Sequence, residues 1–189
     1  MKYYPVLLDL KGKKCLVVGA GGVAERKVRY LLKAKAAISI LSPGLNPGLK
    51  RLKDKKAVSW IPSGYKEAFL KDAFLVIAAT SDKKINSQIS QNALKSGILI
   101  NVVDDPGISN FIVPSNITKG GLTISISTAG AAPGLSKRIR KDLTKLLVPE
   151  YAKFLKLLAV LREELKQKCS DPKLRSKILN ALCASKPLG

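Results

Sequence analysis

The chain has 189 residues, is 46% hydrophobic, and carries 34 Lys and Arg against 13 Asp and Glu, a net charge of +21, with no histidine. That length holds one full domain and a smaller companion, and no apolar run is long enough to span a bilayer. Without histidine, imidazole acid–base chemistry and histidine metal ligation are excluded, so any proton transfer falls to a carboxylate, lysine, tyrosine or cysteine.

In chain order, Tyr4 to Leu8 reads as an extended lead-in and Cys15 to Val18 as a buried strand. Gly19, Gly21 and Gly22 follow, and then a helical pattern whose apolar face is Val23, Val28, Leu31 and Leu32. A strand, a glycine turn and a helix in that order suit a dinucleotide pyrophosphate. Gly19 allows the tight turn, Gly21 lets the backbone approach the phosphates, and the helix start offers free N–H groups. Ala24 stands where the motif has its third glycine. The same pattern also suits a tight strand–helix turn with no ligand.

Ala37 to Leu41 is a second strand, closed by Ser42-Pro43-Gly44, and Asn46 to Lys53 a short helix. Ala57 to Ile61 and Ala73 to Ala79 are further strands, the latter apolar throughout and suited to cover on both faces. Ser81 or Asp82 caps a helix running to Lys95, Gly97 closes it, and Ile98 to Val103 is the next strand. This alternation predicts an α/β fold with a Rossmann-like, doubly wound parallel sheet over residues 1–113.

The pattern then changes. Ser115 to Thr118 and Leu122 to Ser127 are short extended pieces around Gly120-Gly121, the second alternating with period two. Pro133 opens a helix over 134–147, Val148-Pro149 breaks it, and two more helices follow, one with the stripe Tyr151, Phe154, Leu155, Leu158, Leu161 and Leu165, the other over 172–182. Residues 114–147 are expected to be a small dimerisation segment and 148–189 a C-terminal helical region, with a second copy completing the core.

In open α/β sheets ligands collect at the carboxyl ends of the strands. Four segments lie there: Gly19 to Val23, Ser42 to Gly44, Ala79 to Ser81 (with Thr80 at its centre), and Asn101 to Pro106. The acid that usually ends the second strand and binds the ribose is missing, since no Asp or Glu lies between Glu25 and Asp54. Ser42 takes its place, and spacing alone leaves NAD and NADP both open. Asp104 and Asp105 are adjacent carboxylates at a strand end, where each raises the other's proton affinity and suits one to act as a base. The alternative is that either one only caps the Pro106 turn.

Tyr4-Pro5-Val6, Val17 to Lys27, Ala78-Ala79-Thr80, Asn101 to Asp104, Phe111 to Ser115, and Ser125 to Thr128 with Gly130 and Pro133 fall in one order and spacing. Together they resemble the precorrin-2 dehydrogenase family, the module that also forms the N-terminal part of siroheme synthases, over residues 3–147. The resemblance implies an NAD-dependent oxidation of precorrin-2 to sirohydrochlorin, with ferrous iron insertion to siroheme in some members, a lyase activity. It implies that Asp104 is the catalytic aspartate, that Gly22, Val23, Pro43 and Gly44 contact the nucleotide, and that the protein is a homodimer. The serine phosphorylated in some members is Thr128 here. The basic charge agrees independently, because precorrin-2 is a polycarboxylate. Lys137, Arg138, Arg140 and Lys141 are candidate anchors for its carboxylates, and Ser127 and Thr128 can touch it or cap the next helix.

Cys15, Cys169 and Cys183 are far apart and lack metal-ligand spacing, so no resident metal is expected. The residues after Met1 lack a signal peptide's apolar stretch, and a cytoplasmic location is expected, away from membranes. The rival readings are a non-catalytic NAD-binding sensor, which has no need of Asp104, and a nucleic-acid-binding protein, for which aromatics are few (5%) and no recognition motif is present.

Overall fold

The structure, a computed structural model, describes residues 2–147 and 150–184. The chain forms two compact units, Met1–Val113 and Pro114–Gly189.

The first unit is built on five parallel strands: β1 (Lys14–Val18), β2 (Ala37–Leu41), β3 (Ser59–Ile61), β4 (Leu75–Ala78) and β5 (Leu99–Val102). They lie in the order β3-β2-β1-β4-β5, the doubly wound arrangement expected from the alternation of elements. Helices α1 (Gly22–Lys33), α2 (Pro47–Asp54) and α3 (Lys83–Lys95) connect them. Alternate residues of β1 feed two cores. Cys15 and Val17 pack with Val28, Ile40, Leu49 and Ile77 on one face. Leu16 and Val18 pack with Val76, Ile89, Ile100 and Val102 on the other. Cover on both faces is why these strands read as unbroken apolar runs, and each such side chain taken from water stabilises the fold by about 1.5–3 kcal/mol.

Helix starts follow local chemistry. The Asn46 side chain accepts from Leu49 N–H (2.8 Å) and caps α2. Asp82 Oδ1 accepts from Lys84 (2.8 Å) and Ile85 (3.2 Å) N–H and caps α3, so of Ser81 and Asp82 it is the latter that serves. Two strands are shorter than the apolar runs suggested. Ala57 donates its N–H to Leu52 O (3.0 Å) and Lys56 has φ +56°, so residues 57–58 finish the α2 turn and pairing starts at Ser59. Asp72 has φ +63° and Ala73 N–H bonds Leu70 O (3.0 Å), which delays β4 to Leu75. Two short 3₁₀ turns, Glu67–Leu70 and Pro106–Ile108, were not anticipated.

The second unit holds an antiparallel hairpin of β6 (Ser115–Lys119) and β7 (Leu122–Ile126), then α4 (Pro133–Leu146), α5 (Glu150–Lys168) and α6 (Pro172–Ala184). The expected break at Val148-Pro149 lies outside the described residues. β7 alternates half-buried Leu122, Ile124 and Ile126 with exposed Thr123 and Ser125. Helices α5 and α6 bury none of their described residues. Among the described residues, no helix is long and apolar enough to cross a membrane.

Candidate functional site

All four strand-end segments meet in one cavity of about 620 Å³ in the first unit. Of the residues singled out there, Gly19, Gly21, Gly22, Val23, Ser42, Pro43, Gly44, Thr80 and Asp104 all line it.

Each wall has a local cause. Gly19 has φ +108°, a conformation side chains rarely adopt. A Cβ there would collide with the Ala79 carbonyl, whose carbon would lie 2.7 Å away. Its glycine is therefore demanded by the contact between the ends of β1 and β4. Gly21 differs: its φ of −79° suits any residue, and a Cβ on Gly21 or Gly22 would meet nothing within 4 Å. The space a side chain would fill there is cavity. α1 also starts without a side-chain cap, unlike α2 and α3. Bare glycine backbone at an uncapped helix start fits the pyrophosphate of a dinucleotide.

Ser42 is buried, and its hydroxyl donates to Gly44 O at 2.7 Å, which folds the loop after β2 back on itself. The Trp60 indole N–H donates to Ser42 O at 3.0 Å and ties that loop to β3. With its hydrogen spent inside the loop, the Ser42 hydroxyl has only acceptor capacity left for a ribose. Thr80 is fixed by Asn86 of α3. Its N–H (3.3 Å) and hydroxyl (2.7 Å) both donate to Asn86 Oδ1, and Asn86 Nδ2 donates to Thr80 O (3.0 Å).

The two carboxylates part company. Asp105 Oδ1 accepts from Gly107 N–H (3.1 Å) and caps the Pro106 turn. Asp104 has φ +63°, faces the cavity, and among the described residues lining it is the only charged one. Val103 N–H bonds Ala78 O (2.9 Å) and Asp105 N–H bonds Val102 O (3.3 Å), so the backbone on both sides of Asp104 is held. An exposed carboxylate on a fixed loop at the mouth of a nucleotide-sized cavity can accept a proton from a ligand in it.

Sequence reasoning missed three contributors on the loop after β3, Ser63, Gly64 and Tyr65, and Ile85 of α3. The Tyr65 hydroxyl accepts from Asn92 Nδ2 (3.1 Å), and burial pushes its pKa above the ordinary tyrosine value. The loop has no period to betray it; its one signal was Gly64 beside two hydroxyl-bearing residues.

The remaining candidates, Ser127, Thr128, Lys137 and Arg138, belong to the second unit. Ser127 Oγ accepts from Ala129 N–H (3.0 Å) and Thr128 Oγ1 from Ala132 N–H (3.1 Å), so both shape the turn before α4. Lys137 and Arg138 are exposed and line, with Arg140, Lys141 and Lys145, a shallow basic concavity of about 450 Å³ along α4. Among the described residues, no group of three or more His, Cys, Asp or Glu is placed to hold a metal.

A family model described as putative NAD(P)-binding matches residues 6–115, and one described as sirohaem biosynthesis protein central matches residues 119–146. The siroheme synthase of Thioalkalivibrio sulfidiphilus is 36% identical over 182 residues, which are 96% of this chain and 37% of that protein. That of Blochmanniella pennsylvanica is 42% identical over 176 residues, 93% of this chain and 36% of that protein. The chain thus spans little more than a third of the curated relatives it matches. Among solved structures, SirC, a precorrin-2 dehydrogenase, superimposes with a TM-score of 0.84 at 28% identity, over 95% of this chain and 89% of that one.

Proposed function

The chain belongs to the NAD(P)-binding family that siroheme synthases contain, and on that premise we propose that it oxidises precorrin-2 to sirohydrochlorin with NAD. The observation that carries the reading is Asp104, a lone carboxylate on a pinned loop in the cavity that the glycine turn also lines. The likeness to a precorrin-2 dehydrogenase over nearly the whole chain supports it.

NAD, when bound, supplies the hydride acceptor. The N–H groups at the start of α1, from Gly21 to Val23, hold its pyrophosphate, with Gly19 making room for the turn. Ser42, Pro43 and Gly44 would hold the adenosine ribose, and Thr80, locked by Asn86, would contact the cofactor in the same cavity. The macrocycle loses two hydrogens, one as hydride and one as a proton. Asp104 takes the proton and, being exposed, passes it to water. The substrate's carboxylates are held by Lys137 and Arg138, with Ser127 and Thr128 at the helix start.

In this reading residues 114–147 form a dimerisation segment and 148–189 a C-terminal helical region of a cytoplasmic homodimer. The unburied faces of α5 and α6 support association with a second copy. Iron insertion is a separate activity, decided by supplying sirohydrochlorin and ferrous iron in otherwise metal-free buffer. The dehydrogenase reading is tested anaerobically with purified protein, precorrin-2 and NAD, following NADH and the sirohydrochlorin spectrum. Turnover is expected. NAD binding without turnover would instead favour a nucleotide sensor.

A further inference from the structure

Lys27 lies on α1, and its side chain crosses the face of the sheet to reach β5. Its Nζ donates to Asn101 Oδ1 at 3.3 Å. Asn101 is 7% exposed, and its Nδ2 donates to Phe111 O at 3.2 Å. The Phe111 carbonyl therefore fixes the amide so that its oxygen meets the lysine. Asp104 follows Asn101 by three residues, at the cavity. Two charged groups act on the Lys27 ammonium: Arg26 of its own helix disfavours it, and Asp104 favours it. Asn101, the partner on β5, is neutral. Burial holds the amine below the ordinary lysine range, ahead of Arg26 and against Asp104. A half-buried cation beside a like charge is unfavourable unless something rewards it, and a solvated surface lysine needs no asparagine clamp.

We propose that Lys27 is a positioning residue for Asp104: clamped by Asn101, its ammonium supplies the fixed positive charge near the carboxylate that takes the substrate proton. The proposal rests on the dehydrogenase reading for the identity of that proton. The ammonium and the carboxylate attract each other, and the Asn101 clamp fixes the place from which that attraction acts.

The test joins a titration, which needs no substrate, to turnover. The ¹³Cε resonance of Lys27, identified as the one missing in Lys27→Arg, is followed against pH in the wild type and in Asp104→Asn. The midpoint is expected below that of the exposed lysines, and lower still once Asp104 has lost its charge. In the anaerobic assay Lys27→Gln is expected to lower kcat roughly tenfold, less than the loss of a group touching the reacting atoms. NAD affinity should be unchanged, Lys27→Arg should keep most of the activity, and in an Asp104→Asn background Lys27→Gln should cost nothing more. A Lys27 midpoint indifferent to Asp104→Asn overturns the proposal. So does a Lys27→Gln enzyme with wild-type kcat, or one whose defect is lost NAD binding alone. If Lys27→Gln fails to fold, the titration and the Lys27→Arg turnover decide. If the wild type never oxidises precorrin-2, the dehydrogenase reading falls, and the titration alone judges the coupling of Lys27 to Asp104.

Discussion

Asn86 holds Thr80 through three hydrogen bonds, accepting from the Thr80 N–H and hydroxyl and donating to its carbonyl. One buried amide on α3 thereby holds both backbone groups of the residue that ends the β4 wall of the cavity, and shares the Thr80 hydroxyl with the Asp82 backbone. Asn86→Leu would take that partner from the Thr80 N–H and carbonyl, while the hydroxyl keeps the Asp82 backbone, at a cost of roughly 1–3 kcal/mol. A lower urea midpoint with unchanged slope is expected, together with weaker NAD binding because the wall loosens.

The two glycines of the turn should fail in different ways. Gly19→Ala puts a Cβ against the Ala79 carbonyl at φ +108° and should destabilise by about 3 kcal/mol. Gly21→Val meets nothing within 4 Å, so unfolding should change by under ~1 kcal/mol while NAD affinity falls at least about tenfold. Paired urea and calorimetric titrations separate the two. Equal stability loss in both variants would count against a ligand beside Gly21.

Asp104→Asn should keep the fold, because asparagine tolerates φ +63°, and should lower turnover by about 10²–10⁴. Asp105→Ala removes the cap on Gly107 N–H and should cost roughly 1 kcal/mol with turnover largely retained. Turnover retained in Asp104→Asn and lost in Asp105→Ala would move the base to Asp105.

Burial pushes the Cys15 thiol from 9.0 up to about 11. Below pH 9.0 the thiol is protonated whether the chain is folded or not; between pH 9.0 and about 11 only the unfolded chain loses the proton. Stability should therefore fall as pH rises through that window, by up to roughly 2–3 kcal/mol. Urea midpoints compared with those of Cys15→Ala, in which this component is absent, should show the difference narrowing with pH. A constant difference would rule out the effect.

The parallel sheet was legible because its strands are apolar runs ended by glycine, serine or aspartate, and those ends are where an open sheet gathers ligands. That is why Gly19, Ser42, Thr80 and Asp104 could be named in advance. Strand lengths were overread at Ala57, Val58 and Ala73, since apolar residues packed in a turn look like those packed in a ladder; Val58 is buried without pairing. Asn86 and Asn101 were illegible as supports for the site. Each owes its role to a partner that only the folded chain brings near: Thr80 across the start of α3, and Lys27 and Phe111 from elsewhere in the sequence. A polar residue in an apolar strand, as Asn101 is, was the one signal available.

The bond between the Trp60 indole and Ser42 O has a practical result. The chain contains a single tryptophan, and it is attached to the loop that borders the cavity. Its emission comes from one known place, so movement of that loop on nucleotide entry should alter intensity and wavelength without a fitted label. The protein is in this sense its own optical sensor, and substrate-free affinities for every variant above can be read from the light of one ring.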